Sequence, residues 1–372
     1  MQSNRIGLFS SAFSMPENTL ENILNYSLEN RLIELLPSST QQYLTQAIQS
    51  KQYNEQSAPW LTSLDGLIGI LNSHHEFEKS EVLSHYLINQ LSQAESLTNF
   101  NTYFERSLEY FQIYISLLIQ LSYYEMIKNN DFEQSDHWLT QAKTVLNHFE
   151  NIAEEKDLKW LTTFSWQINS TESFFNIQLD QYDLALELLI QCHGTLITDI
   201  NFELPISIRD RVYILLHLAI CATHERQYNI VETALADFVP FEKIEEAKPY
   251  LNKIAASRLH HEGLSQFVKE DFEKALDAFQ KSNESFSQQK KHSSIETQQI
   301  WINHLLGAHS QLKLDPNNDI AVKTLQTVQP VFEDEDLQNT VKQVLGPELI
   351  TKLDLLNSTP LSQPSNLRMT KS

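Results

Sequence analysis

The sequence predicts an all-α fold, an α-α superhelix built from about six helical hairpins. The 372-residue chain contains only 7 Gly and 11 Pro, and these residues cost about 1 and 3 kcal/mol inside a helix. Leu, Gln, Glu, Ala and Lys dominate the periodic segments, whereas the period-2 alternation of a half-buried strand is scarce. A short pattern of aromatic and small residues also recurs along the chain. These three observations favour stacked helices over a sheet-containing architecture.

The clearest copy of the recurring pattern lies at residues 270–282. Phe272 opens a predicted helix, Ala275 follows three positions later, and Phe279 follows after four more. Gly263 lies twelve residues before Ala275, in the preceding predicted helix. Because a residue without a side chain lets two backbones approach closely, we expect two helices to touch at Gly263.

Five further segments repeat this pattern. The positions equivalent to Phe272 are Phe77, Phe132, Tyr182, Tyr228 and Asn318. Three residues after each anchor, the chain carries mostly small residues: Ser80, Ser135, Ala185, Val231, Ala275 and Ala321. Seven residues after each anchor, it carries mainly large apolar residues: Ser84, Leu139, Leu189, Leu235, Phe279 and Leu325. Six aligned copies predict six helix-turn-helix units with a common register.

On these motifs the chain resembles the tetratricopeptide repeat (TPR) superfamily, whose helix-turn-helix units stack on copies of themselves. Successive anchors are 55, 50, 46, 44 and 46 residues apart, against about 34 residues in the standard unit. The excess lengthens each helix of a pair by roughly two turns. A HEAT-like array, with repeats of about 40–47 residues, is the alternative. In either array, each unit is expected to contact its neighbours along the chain.

The predicted organisation has three parts. Residues 1–55 form an N-terminal helical cap, in which Pro16 opens an amphipathic helix from Glu17 to Leu36 and a second helix ends near Lys51. Residues 56–345 form the repeat array. Residues 346–372 contain a short terminal helix, followed from Asn357 by a polar tail that we expect to be disordered.

The distribution of charged and apolar residues along the chain restricts the kinds of partner that the protein can bind. The net charge is -21, and residues 1–240 hold 30 acidic and 12 basic residues, so this region repels nucleic acid and anionic membranes. Residues 241–300 hold 10 acidic and 9 basic residues, which makes this segment the place where an acidic peptide would dock. No run reaches the roughly 20 apolar residues of a membrane-spanning helix. With Cys192 and Cys221 as the only thiols, we expect reduced cysteines, a cytoplasmic location and no membrane insertion.

The sequence offers no enzymatic signature. The histidine pairs His74-His75 and His260-His261 lack the spacing of a metal motif. There is no phosphate-binding loop, Gly-rich nucleotide fingerprint or nucleophile elbow. We therefore expect no catalytic residues, no metal ligands and no cofactor.

The resemblance implies a binding groove lined by the first helix of each pair, where an extended peptide or a partner helix lies. The residues expected to contact a partner are Asn252, Arg258, His261, Trp301 and Asn303. The main hypothesis is a non-catalytic adaptor or scaffold that binds a protein or peptide and does not bind nucleic acid directly. The alternatives are an intracellular peptide-sensing regulator of the long-helix TPR receptor type and a subunit of a larger stable complex. The sequence leaves the oligomeric state open.

Overall fold

The computed structural model describes residues 17–53, 58–74, 76–93, 108–151, 153–199, 202–289 and 292–353. These ranges are mainly helical, contain no strand, and pack mainly as pairs of helices that follow each other in the chain. The all-α prediction is therefore confirmed for this part of the protein. The predicted helix start at Pro16 and the predicted disordered tail lie outside the described residues.

The chain divides into two compact units, residues 1–171 and residues 172–372. In the first unit, the described helices are α1 (Glu17–Glu29), α2 (Ser38–Ser50), α3 (Ala58–Ser73), α4 (Phe77–Gln93), α5 (Leu108–Tyr124) and α6 (Phe132–Glu150). Helix α3 packs on α4, and α5 packs on α6. The division falls within the next helix, α7 (Leu158–Gln178). The predicted boundaries at residues 55 and 345 stay predictions.

The second unit continues the pattern of paired helices. Its helices are α8 (Tyr182–Thr198), α9 (Ile208–His224), α10 (Tyr228–Ala236), α11 (Lys248–Val268), α12 (Phe272–Ser287), α13 (Ser294–Leu314), α14 (Asp319–Val328), α15 (Glu335–Leu345) and α16 (Pro347–Leu353). Helices α8 to α13 each pack on the next one in the chain. In addition, α11 packs on α9 and on α13, so the longer helices of successive pairs lie side by side.

The helix starts follow the sequence pattern. Five helices begin at the marked aromatic residues: Phe77, Phe132, Tyr182, Tyr228 and Phe272. At the sixth marked position, Asn318 caps α14 by accepting hydrogen bonds from the backbone N–H groups of Ile320 and Ala321. The predicted positions of these helix starts are confirmed to within one residue.

The turns before these helices share one backbone geometry. Two residues before the aromatic, φ is 52°, 57°, 56° and 62° at Asn130, Asp180, Arg226 and Glu270 respectively. In the turn before Phe272, the N–H of Asp271 donates to the carbonyl of Gln266, five residues earlier, at 3.0 Å. The equivalent bond closes the turns before Phe77, Tyr182 and Tyr228. This six-to-one bond with a left-handed residue is the Schellman ending of a helix. A left-handed residue other than glycine costs about 1–2 kcal/mol, so its repetition shows that helix packing fixes the turn.

The packing inside the α11–α12 pair explains the small residue at Gly263. A Cβ atom at this position would lie 2.5 Å from the ring of Phe279, which is far inside van der Waals contact. Phe279 and Ala275 are both fully buried. The predicted contact of two helices at Gly263 is confirmed.

The other marked positions are buried in the same way. All six residues three positions after the anchors are buried, and so are the residues seven positions after them except Leu235, which is half-buried. The buried serines Ser122 and Ser135 form a hydrogen bond of 2.9 Å between α5 and α6. The register that the pattern predicted therefore describes the contact face of these helices.

The N-terminal segment differs from its prediction. The helix expected to run from Glu17 to Leu36 ends at Glu29, and a 3₁₀ turn follows at Leu32–Leu35. Arg31 adopts a left-handed conformation with φ of 60°. This change of direction buries Leu32 and Ile33, which explains why the helix breaks before the proline at position 37.

The C-terminal end departs from the expectation that each unit contacts only its neighbours. Helix α15 packs on α9, more than one hundred residues earlier in the chain, and contributes Val341 to the core cluster that contains Leu306. The hydroxyl of Tyr228 donates a hydrogen bond to the carbonyl of Val344. Beside it, Gly346 has φ of 78° and lies against the Arg226 guanidinium. The described helices include none with the length and apolar content to cross a bilayer.

Candidate partner-binding surface

A cleft of about 430 Å³ lies in the second unit. Its walls come from α9, from α11, from the end of α12 and from the start of α13. It falls in the segment where acidic and basic residues balance. Three side-by-side helices and one helix end therefore converge on a single concavity.

The side chains of the cleft suit a peptide main chain. Those that carry hydrogen-bonding groups include Asn252, Lys253, Ser257, Ser285, Gln288 and Gln289. Carboxamides and hydroxyls both donate and accept hydrogen bonds, as a peptide backbone requires of its receptor. Leu216 and Ile254 supply apolar surface, while Lys253 and Glu296 place opposite charges on the lining.

The sequence-predicted contact residues do not all reach this cleft. Asn252 lies in its lining and is exposed. Arg258 is half-buried, pairs with Glu242 at 2.9 Å, and places its guanidinium 5.6 Å from the centre of the Phe238 ring. Trp301 is half-buried and packs against the core cluster of α11–α15. These placements separate Asn252 from the other two, and a role in partner binding stays a prediction for all three.

The remaining two predicted residues are buried beneath the cleft. His261 and Asn303 are only 3% and 1% exposed. The Nδ1 atom of His261 lies 3.0 Å from the hydroxyl of Thr223 on α9. Because that hydroxyl donates to the carbonyl of Ala219, it accepts the proton of His261 Nδ1. In the structure both residues hold helices together, and their predicted contact with a partner stays a prediction.

Asn303 is the centre of a buried polar network, which we call the polar seam: Thr223, Ser257, His260, His261, Ser282, Gln299 and Asn303. The Oδ1 atom of Asn303 accepts from His260 Nδ1 at 2.6 Å, and its Nδ2 atom donates to Ser282 Oγ at 2.9 Å. Ser282 donates in turn to the carbonyl of Ala256, and Ser257 donates to Gln299 at 3.1 Å. These bonds fix the register of α11, α12 and α13, which carry the cleft.

The polar seam is uncharged at neutral pH. Burial lowers the pKa of His260 to about 4. Burial and the neighbouring His260 lower the pKa of His261 well below its usual value. Burial also raises the pKa of Cys192 and Cys221 to about 12, so neither thiol forms a thiolate nucleophile. The arrangement therefore positions helices through neutral hydrogen-bonding groups.

Sequence reasoning missed Tyr213, Ser285, Gln288 and Gln289 as cleft residues. The prediction considered only first helices, whereas Ser285 and the two glutamines come from the end of a second helix. Their polar character next to the charge-balanced segment is a signal that the sequence does contain.

Comparisons of this chain with protein-family models, with curated proteins and with solved structures found no match.

Proposed function

We propose that this protein is a non-catalytic adaptor of the TPR-like type, a superhelix of helical hairpins that binds a protein or peptide partner. The cleft formed by α9, α11, α12 and α13 is the binding site. The observation that carries the proposal is the lining itself, in which amides and hydroxyls from several helices surround one concavity. Main-chain recognition by such groups is how helical-repeat proteins hold extended segments.

The repeated hairpin supports the TPR-like part of the proposal. The same Schellman turn precedes several marked aromatics, and the same small-residue position is buried in every copy. A HEAT-like array would also stack helix pairs, but it does not require an aromatic residue at each second-helix start. The two buried free thiols support a reducing compartment, which for this adaptor is the cytoplasm.

A peptide-sensing regulator is the second candidate, favoured by the return of α15 onto α9. Helix α9 also lines the cleft through Tyr213 and Leu216. A peptide that shifts α9 would therefore also change the contact with α15. Such coupling requires that the peptide binds the two arrangements with different affinity.

Photo-crosslinking in native cells tests the adaptor. A benzophenone amino acid replaces Gln289 in the cleft of the full chain, and a control carries it at Ile320, which is 70% exposed on α14. We expect a discrete crosslinked partner from Gln289 only, and loss of that product when Lys253→Glu reverses the charge of the lining. The proposal fails if Ile320 captures the same partner with equal yield, or if Gln289 captures none.

A further inference from the structure

Two glutamates and a histidine converge in the first unit, which is separate from the cleft. Glu81 and His85 are four residues apart on α4, so they share one helix face. Glu125 comes from the turn that follows α5. One donor atom from each side chain lies within 4.8 Å of the other two. Two donors of a tetrahedral ion, each about 2.1 Å from it, lie roughly 3.4 Å apart, so side-chain movements of about an ångström would let the three groups share an ion.

The backbone explains why Glu125 points inward. In the regular turns, the residue before the aromatic donates to the carbonyl five residues earlier, whereas Asp131 donates to the carbonyl of Glu125, six residues earlier, at 3.0 Å. A π-helical turn at Glu125–Asn129 accommodates the extra residue. Such π-turns inside α-helices are frequent at functional sites.

Glu125 is a buried carboxylate in need of a cation. It is 8% exposed, and in the described part of the chain it accepts a hydrogen bond from Asn129 at 2.7 Å but has no Lys or Arg partner. Glu81 brings a second carboxylate into the same half-buried space. An ionised carboxylate out of water is costly unless a cation or hydrogen bonds compensate it. A shared ion would satisfy both carboxylates.

Neighbouring groups hold the donors in place. The Tyr124 hydroxyl hydrogen-bonds to Glu81, and the Asn129 amide hydrogen-bonds to Glu125. The buried ring of Trp138 lies 6.2 Å from the ring of His85 and forms an apolar wall. Hydrogen bonds to the ligands and an apolar surround are the features that orient and tighten metal sites.

We propose that Glu81, His85 and Glu125 form a binding site for a divalent transition-metal ion, Zn²⁺ in the first place. An imidazole together with carboxylates suits Zn²⁺ and its transition-metal neighbours, while Ca²⁺ and Mg²⁺ prefer oxygen ligands alone. Three protein ligands leave one position for water. The ion ties α4 to the π-turn and stabilises the first unit, independently of any partner in the cleft.

Titration of the chelator-treated full chain with Zn²⁺, in competition with a chromogenic chelator, tests this site. We expect one equivalent of tight binding, with an affinity loss of at least about tenfold in Glu81→Gln, His85→Gln and Glu125→Gln. The control is Glu133→Gln, an exposed residue of α6 in the same unit, which should bind like the wild type. Circular dichroism confirms that each variant is folded.

Co²⁺ absorption of the wild-type chain provides a readout that needs no variant at a buried position. We expect visible absorption bands of a four- or five-coordinate Co²⁺ ion. Addition of Zn²⁺ should raise the melting temperature of the wild type, and Glu81→Gln, a change at a half-buried residue, should abolish this rise. The proposal is overturned if the wild type takes up no stoichiometric ion. It is also overturned if all three variants bind as the wild type does.

Discussion

The turn before Phe132 and the turn before Phe272 are copies of one motif with different interiors. At Phe272 the regular Schellman turn leads into a pair in which the buried side chains of His260, Asn303 and Ser282 hydrogen-bond to one another. At Phe132 one extra residue becomes a π-turn and places the Glu125 carboxylate inside. The two helix ends therefore differ by one residue, and that residue decides whether a neutral hydrogen-bonded group or a carboxylate is buried beside the turn.

The response to acid should differ most strongly between the two units of the chain. The pKa of His260 is about 4 in the folded chain, below its ordinary value of 6.5, so the unfolded state binds the proton more readily. This contribution to stability is intact above pH 6.5 and is lost as pH falls towards 4. From pH 7 to pH 5 we expect a loss of about 2 kcal/mol from His260, and a further loss in the same direction from His261, whose pKa burial also lowers.

Asp65 in the first unit should act in the opposite direction. Its Oδ1 atom is buried without a hydrogen-bond partner among the described residues, and burial raises its pKa from 3.8 to about 7. The folded state therefore binds the Asp65 proton more tightly than the unfolded state does. As pH rises from 3.8 through 7, the free energy of unfolding falls because the folded state must give up this proton. Hydrogen exchange measured separately on residues 58–73 and 248–268 between pH 5 and pH 8 should give opposite trends. Trends in the same direction for both segments would contradict the opposite effects of pH expected from His260 and Asp65.

The contact between Gly263 and Phe279 in the α11–α12 pair should be the next most sensitive to substitution. Gly263→Ala places a methyl group 2.5 Å from the Phe279 ring and should destabilise the fold by about 1–3 kcal/mol. The matched change Gly194→Ala in α8 meets no atom within 4 Å and should stabilise the fold by about 0.5–1 kcal/mol. The midpoints of urea unfolding for the two variants and the wild type measure these changes. Equal effects would mean that α11 and α12 do not touch at Gly263.

The smallest loss of stability should come from weakening the contact that α15 makes with Tyr228, far earlier in the chain. Tyr228→Phe removes the hydroxyl that donates to the Val344 carbonyl and should cost about 1 kcal/mol. The loss should appear as faster hydrogen exchange in residues 335–345. Tyr250→Phe on α11, whose hydroxyl makes no hydrogen bond in the described structure, is the control and should leave this exchange unchanged. No change for Tyr228→Phe would contradict the contact.

The sequence predicted those parts of the fold that depend on residues close together in the chain. An aromatic residue at a helix start and a small residue at the crossing, as at Phe272 and Gly263, depend on one hairpin alone. The return of α15 depends on residues more than one hundred positions apart, which no local pattern encodes. The π-turn at Glu125 escaped prediction because the extra residue is visible only once the helix end is known.

The candidate site was predicted less well for a related reason. The segment around Asn252 was identified by its charge balance, but the direction of each first-helix side chain was not. His261 and Asn303 are polar, which suggests a surface, yet each finds its hydrogen-bond partners on neighbouring helices and is buried. Polarity alone cannot distinguish a buried network from a binding face.

Hydrogen exchange of the full chain, with and without the partner captured at Gln289, tests the adaptor most directly. If the cleft binds the partner, exchange slows in residues 252–257 and 285–289, which line it, with little change in residues 319–328. Protection confined to residues 319–328, or spread evenly over the second unit, would contradict a partner site in the cleft.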